Sequence, residues 1–184
     1  MVKHLFLVRH CESTGQEASA PLTGLGQTQA TLLADHLESV GADLIVSSPY
    51  TRAQQSVTPL AQRLGLPVVL DPRLAERVLS ATPLEHWREA IRQSFEDLDL
   101  AWPGGESSRM AMTRGRAAID ALLARPAPVL VVMTHGNLMT LILHSFDAQF
   151  DFSAWARLST PDVYCIAVYP DRVRVSRTWV PSPA

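Results

Sequence analysis

Two runs in this chain are apolar without interruption: "LFLV" at residues 5–8 and "VLVVM" at residues 129–133. A strand with one wet face alternates polar and apolar residues. Unbroken Leu and β-branched runs belong to strands covered on both faces, as in a parallel sheet with helices above and below. Shorter strand candidates are "DLIVS" (43–47) and "PVVL" (67–70). The intervening segments have helical spacing. Ala30, Leu33, Leu37 and Val40 step by three and four, with Gly41 in the place of a C-cap. Ser48 and Pro49 read as the cap and first position of a helix to about Leu64, bent at Pro59. Residues 82–97 offer Thr82 as cap, Pro83 at the first position and Glu85 to close a capping box. Further helices are predicted over 106–125 and from Gly136 to about Ala148. The tail, from Val163 to Val180, alternates around Pro170-Asp171 and predicts a hairpin at the sheet edge. Strands alternating with helices predict an α/β fold, a three-layer α/β/α sandwich around a mostly parallel central sheet.

At 184 residues and 47% hydrophobic, residues 1–184 suit a single domain. A formal charge of -2, with the basic residues scattered, supplies no field to hold nucleic acid or an anionic membrane. Two cysteines, Cys11 and Cys165, make neither a disulfide framework nor a metal-ligand spacing. The first residues are too quickly charged for a secretory signal, and no apolar run reaches spanning length, so a cytoplasmic protein is expected. Oligomeric state is not legible in the sequence.

Ligands of such sheets bind outside the carboxyl ends of the strands. Three predicted strand ends carry polar chemistry: Arg9-His10, then Ser48 to Arg52, then His135-Gly136-Asn137. Glu76 follows the third predicted strand closely enough to reach the same rim. Two guanidiniums and two imidazoles at one edge call for an anion between them. Each such contact near 4 Å is worth roughly 4 kcal/mol at an effective dielectric of about 20. The helix opening at Gly136 adds free amides and a positive dipole end. A small phosphorylated substrate fits this cradle. A cysteine-dependent phosphatase needs Arg six positions after its Cys, and Glu17 and Asp171 stand there instead. No phosphate-cradling GxxxxGK loop and no obvious metal spacing are present, so neither metal nor cofactor is expected. An imidazole remains as the nucleophile, with a carboxylic acid to serve the leaving oxygen.

"RHCES", "LTGLGQTQA", "SSPYTRAQQS", "ERV", "GGES" and "THGN" stand in that order over residues 3–145. The chain here resembles the histidine phosphatases, the phosphoglycerate mutase-like superfamily. The resemblance implies that fold, a phosphohistidine mechanism and specific roles. His10 is then the phosphorylated nucleophile, Arg9 and Arg52 clamp the phosphoryl oxygens, and His135 stabilises the transferring charge. Glu76 takes the place of the proton donor and acceptor. Gln16, Thr23, Gly24 and Gly136 fall at substrate-binding positions. The family's usual Gly after the nucleophile is Cys11 here, and Gln16 stands where many members have Asn. Cys11 is expected to be inert packing, and Glu106 to be structural at a helix start. His4, His36, His86 and His144 are expected to be ordinary. Residues 78–105 read as a lid insertion; Trp87 and Trp102 either line it, with Trp155, as an apolar wall or only pack the cap onto the sheet. Mutases of the family carry a longer, Arg-rich insert, whereas this one holds only Arg88 and Arg92. A phosphomonoesterase is therefore preferred over a mutase, and over a non-catalytic phosphate-binding module, which would lack one of these residues.

Overall fold

The computed structural model describes residues 2–179. Its strands are β1 (Lys3–Arg9), β2 (Leu44–Ser47), β3 (Val68–Leu70), β4 (Val129–Thr134), β5 (Asp162–Val168) and β6 (Val173–Arg177). They form one sheet in the order β3-β2-β4-β1-β5-β6. The first four are mutually parallel, β5 runs antiparallel to β1, and β6 antiparallel to β5. The helices are α1 (Gly24–Glu38), α2 (Thr51–Leu64), α3 (Trp87–Glu96), α4 (Ser108–Leu123), α5 (Gly136–His144) and α6 (Phe152–Ala156).

Alternate residues of one strand reach opposite faces, and both faces are covered. Leu5 and Leu7 of β1, with Leu130 and Val132 of β4, pack against Ile119 of α4 and Leu138 of α5. Val8, with Val131 and Met133, packs against Leu33 of α1 and Val57 of α2. Each of these side chains contributes roughly 1.5–3 kcal/mol by leaving water. The chain leaves β1 toward one face, through α1, and leaves β4 toward the other, through α5. The neighbouring strands β1 and β4 thus flank the point where such sheets open a crevice.

Local chemistry moved several boundaries. Ser48 does not cap α2: the helix starts at Thr51, Tyr50 is its N-cap without a side-chain bond, and Pro59 lies inside it. Helix α1 begins well before Ala30, because the Thr23 hydroxyl accepts from the Gly26 amide at 3.0 Å. Gly41, at φ 66°, follows its C-cap Ser39 by two residues. The helix expected from Thr82 starts only at Trp87. Residues 78–81 are instead held extended against 103–106: Glu106 N donates to Val78 O at 2.8 Å, and Ala81 N to Pro103 O at 3.0 Å. Helix α4 begins at Ser108, capped by the Ser107 hydroxyl, so Glu106 lies just outside it. The run expected to Ala148 ends at His144, and the unforeseen α6 is capped by the Asp151 carboxylate, which accepts from Ser153 N and Ala154 N. The tail hairpin forms as expected over β5 and β6; its expected last residue, Val180, lies outside the described residues.

The paired residues at 78–81 and 103–106 make a neck that closes residues 78–105 into one excursion. Gly105 sits where a Cβ would lie 2.2 Å from Leu79 O. Gly105→Ala should therefore lower the unfolding free energy by about 1–3 kcal/mol in urea denaturation. A midpoint equal to that of the parent would contradict the neck.

Candidate active site

The ends of the central strands are locked to one another beyond their last paired residues. His10 N donates to Thr134 O at 3.0 Å, and Ser48 N donates to Met133 O at 2.9 Å. His10, Ser48 and His135 are thereby held side by side at the rim.

The hydrogen bonds of His10 define its tautomer. Its Nδ1 lies 2.6 Å from the Cys11 carbonyl oxygen, which can only accept, so Nδ1 carries the hydrogen. Nε2 then has a free electron pair, and Arg52 Nε donates to it at 3.2 Å. Burial pushes the His10 imidazole down to about 3, with the Cys11 carbonyl opposing and the Arg52 and Arg9 charges adding to it. The ring is therefore neutral at neutral pH.

His135 is fully buried, its ring centroid 5.1 Å from that of His10 in an edge-on arrangement. Its Nε2 lies 2.7 Å from the Ser48 hydroxyl, and its buried Nδ1 has no protein partner. Burial, then the charges of His10 and Arg52, hold it well below the ordinary histidine range. Tyr50 packs edge-on to His135 and lies under the Arg52 guanidinium, 4.9 Å away in each case.

Arg52 is 1% exposed and donates from Nη1 to the carbonyls of Gln16 and Glu17, at 3.1 and 2.9 Å. Arg9 donates from Nη1 to Ser159 O at 3.2 Å, while its buried Nε has no partner. A Cβ on Gly136 would stand 3.1 Å from that Nε, so glycine lets the guanidinium lie against the start of α5. Burial lowers both arginines, and in each case the charge of Glu76 is the largest opposing influence.

The Glu76 carboxylate sits at the N-terminus of α5. It accepts from Asn137 N at 3.1 Å, Leu138 N at 3.0 Å and Arg77 N at 2.9 Å. A negative group is favoured at this positive helix end. Arg9, Gln16, Glu76, Arg77, Gly136 and Asn137 form the polar side of a cavity of about 440 Å³. Leu79, Trp87, Ile91 and Trp155 form its apolar side, with the two indoles edge-to-face at 6.1 Å.

The structure thus brings Arg9, His10, Arg52, Glu76 and His135 to one rim, with Gln16 and Gly136 in the cavity wall. His10, Arg52 and His135 are nearly buried beside that wall rather than in it. Thr23 and Gly24 stand apart from the cavity at the start of α1, where the Thr23 hydroxyl donates to Glu12 Oε1 at 2.7 Å and caps the helix. Trp102 is absent from the cavity wall; its carbonyl closes a turn with Gly105 N at 2.9 Å. Cys11 is fully buried among apolar side chains, and burial pushes its thiol up to about 11, as inert packing requires. His4, His36 and His144 contact Cys165, Thr178 and Phe150 respectively, away from the cavity, and His86 precedes α3. Among the described residues, no three His, Cys, Asp or Glu side chains cluster to hold a metal ion, and no helix is long and apolar enough to cross a membrane. Sequence reasoning missed Ser48 as the partner of His135, and Arg77 and Asn137 as cavity residues. "SSPYTR", "ERV" and "THGN" contained all three, but only the fold shows which side chains face inward.

The family described as the histidine phosphatase superfamily (branch 1) matches residues 5–179. A protein of Yersinia enterocolitica named "Probable phosphoglycerate mutase GpmB" is 35% identical, over 76% of this chain and 72% of the relative. Among solved structures, one called mycobacterial hydrolase 1 is 25% identical over the whole of both chains, with a TM-score of 0.80. A mycobacterial glucosyl-3-phosphoglycerate phosphatase, in complex with inorganic phosphate, is 26% identical over 96% of each chain, with a TM-score of 0.75.

The buried neutral imidazole makes the protein acid-sensitive. Burial pushes His10 down to about 3 from its ordinary value of about 6.5, so the unfolded chain binds more protons between those values. Stability therefore rises with pH across that window and is lost on acidification. His10→Gln should flatten the slope of unfolding free energy by about 1.4 kcal/mol per pH unit near pH ~5, measured by denaturant titration. An unchanged slope would mean that His10 titrates as in the unfolded chain.

Proposed function

We propose that this chain, which belongs to branch 1 of the histidine phosphatase superfamily, is a phosphomonoesterase working through a phosphohistidine on His10. The observation that carries this reading is the tautomer of His10. A hydrogen on Nδ1 leaves Nε2 as a nucleophile at neutral pH, next to Arg52 and 5.1 Å from a second neutral imidazole.

In the first step the Nε2 electron pair attacks phosphorus and the phosphorus–ester oxygen bond breaks. Arg52 Nε exchanges its contact with Nε2 for a phosphoryl oxygen, and Arg9 takes another. His135 sits against the charge that builds on the transferring group. The Glu76 carboxylate takes the proton that a monoanionic phosphate ester brings in and hands it to the leaving oxygen. In the second step water attacks phosphorus, its proton passes to Glu76, and the phosphorus–nitrogen bond breaks to return the electron pair to His10. The imidazole supplies the nucleophile, so this route calls for no metal. Gln16 and Gly136 are the substrate contacts that the cavity supports. Thr23 and Gly24 would act only through the loop they cap.

Residues 78–105 form the lid in this reading. With Trp155 they give the leaving group an apolar wall, which suits varied esters of small phosphorylated molecules. Two free, buried cysteines fit a cytoplasmic setting. The name of the Yersinia relatives raises the mutase alternative, which needs a grip on a second anionic end of the substrate. Arg88 lies over Trp155 at 5.5 Å, and Arg92 is paired with Glu89 and Glu96. Neither lines the Arg9–Glu76 cavity, where, among the described residues, Arg77 is the one cation beyond the proposed clamp. That favours hydrolysis. The presence of all five catalytic residues favours an enzyme over a binding module.

Brief incubation with a radiolabelled phosphomonoester should trap an acid-labile, base-stable phosphoenzyme, absent from His10→Ala. Full turnover of p-nitrophenyl phosphate by His10→Ala would falsify the assignment. With 3-phosphoglycerate and a bisphosphoglycerate primer, phosphate should be released faster than isomer forms. The reverse ratio decides for the mutase.

A further inference from the structure

We propose that Arg114 and Glu106 are positioning residues that brace the Glu76 loop, acting through its backbone carbonyls. The inference rests on Glu76 being the proton carrier.

Glu76 stands in a loop after the short 3-10 turn Pro72–Leu74, outside any strand ladder. Its carboxylate is fastened to the amides of α5, but those contacts must loosen whenever an oxygen takes up or gives away a proton. The backbone therefore needs a separate anchor. Arg114, on α4, supplies it: Nη1 donates to Arg73 O at 2.7 Å and to Ala75 O at 2.8 Å, and Nη2 to Glu76 O at 3.4 Å. The same guanidinium is gripped fork-to-fork by Glu106, with Nε–Oε1 and Nη2–Oε2 both 2.7 Å. Burial is the largest influence on the Glu106 carboxyl and pushes it up, but the Arg114 contact, the Val78 backbone and the Arg77 charge together hold it below its usual range.

Glu106 is also the far post of the neck that closes residues 78–105. Its amide donates to Val78 O, and its carbonyl accepts from Arg77 Nε at 3.0 Å. Arg77 in turn donates from Nη1 to Ser94 and Ser108, at 2.8 and 2.9 Å. One ion pair thus joins the proton-carrying loop, the root of the aromatic wall and a core helix. Neither member of the pair lines the cavity, so its influence on the reaction passes through Glu76.

The test uses the full chain and two esters: p-nitrophenyl phosphate, whose leaving group needs little protonation, and glycerol 1-phosphate, whose alkoxide needs it. Glu76→Gln should lose about 100-fold in kcat/KM on the glycerol ester and far less on the aryl ester. Arg114→Ala should show the same discrimination, about tenfold, and should add little in the Glu76→Gln background. Glu106→Gln keeps the shape and weakens the grip. It should discriminate in the same direction, and it decides the matter if Arg114→Ala does not fold. Equal losses on both esters, or losses that multiply in the double variant, overturn the brace while leaving Glu76 in place. If Glu76→Gln itself treats the two esters alike, the Glu76 assignment falls and the brace falls with it.

Discussion

The hydrogen bond from His10 Nδ1 to the Cys11 carbonyl is the contact from which the rest of the site takes its meaning. It selects one ring nitrogen for hydrogen and leaves the other as an electron pair facing Arg52. The bond forms just after a strand whose Leu5, Leu7 and Val8 are fully buried. The sheet and α2 hold the chain there: the His10 amide is still paired with Thr134, and the Cys11 amide is taken by the Ser56 hydroxyl of α2 at 2.9 Å. A nucleophile placed on a flexible surface loop would sample both tautomers. Here the core of the molecule chooses between them.

The surroundings are electrostatically incomplete. The guanidiniums of Arg9 and Arg52 and two neutral imidazoles gather around Glu76, whose charge opposes the burial of both arginines more than those of Asp162 and Glu17 do, and that carboxylate is already engaged by the start of α5. Arg9 Nε and His135 Nδ1 keep unpaired polar atoms where water has little access. Such groups are costly unless they serve something. A phosphoryl group would satisfy them together, and its negative charge would reverse the penalty on both arginines. Stability given up at the rim would be the counterpart of the proposed phosphate binding. The core on either side of the sheet, packed through Leu5, Leu7, Val131 and Met133, carries the cost.

The rim was legible because its residues follow buried runs that can only be strands. "LFLV" and "VLVVM" delivered Arg9-His10 and His135, and they paired directly, in register from His4 opposite Val129 to Arg9 opposite Thr134. Gln16 and Gly136 were picked out by motif position, and both line the cavity. Thr23 and Gly24 do not, because a threonine before a helix has a competing local use, and capping won. Of the two uses open to Trp102, lining the cavity or packing the lid, the first is absent: its carbonyl belongs to the turn at the neck, and α3 starts only at Trp87. Neck pairing is a long-range effect that local propensity does not encode. Nor could the sequence tell that Arg114 and Glu106, eight residues apart, would meet fork-to-fork and hold three carbonyls of another loop. Pattern located the chemistry; tertiary contacts decided what supports it.

The measurement that bears most directly on this account is nitrogen NMR of histidine-labelled protein at neutral pH, with His10 identified through a His10→Gln variant. The account requires a neutral His10 ring with hydrogen on Nδ1 and none on Nε2, unchanged as the pH is lowered to about 5. An imidazolium titrating near about 6.5, or a ring with its hydrogen on Nε2, would contradict it.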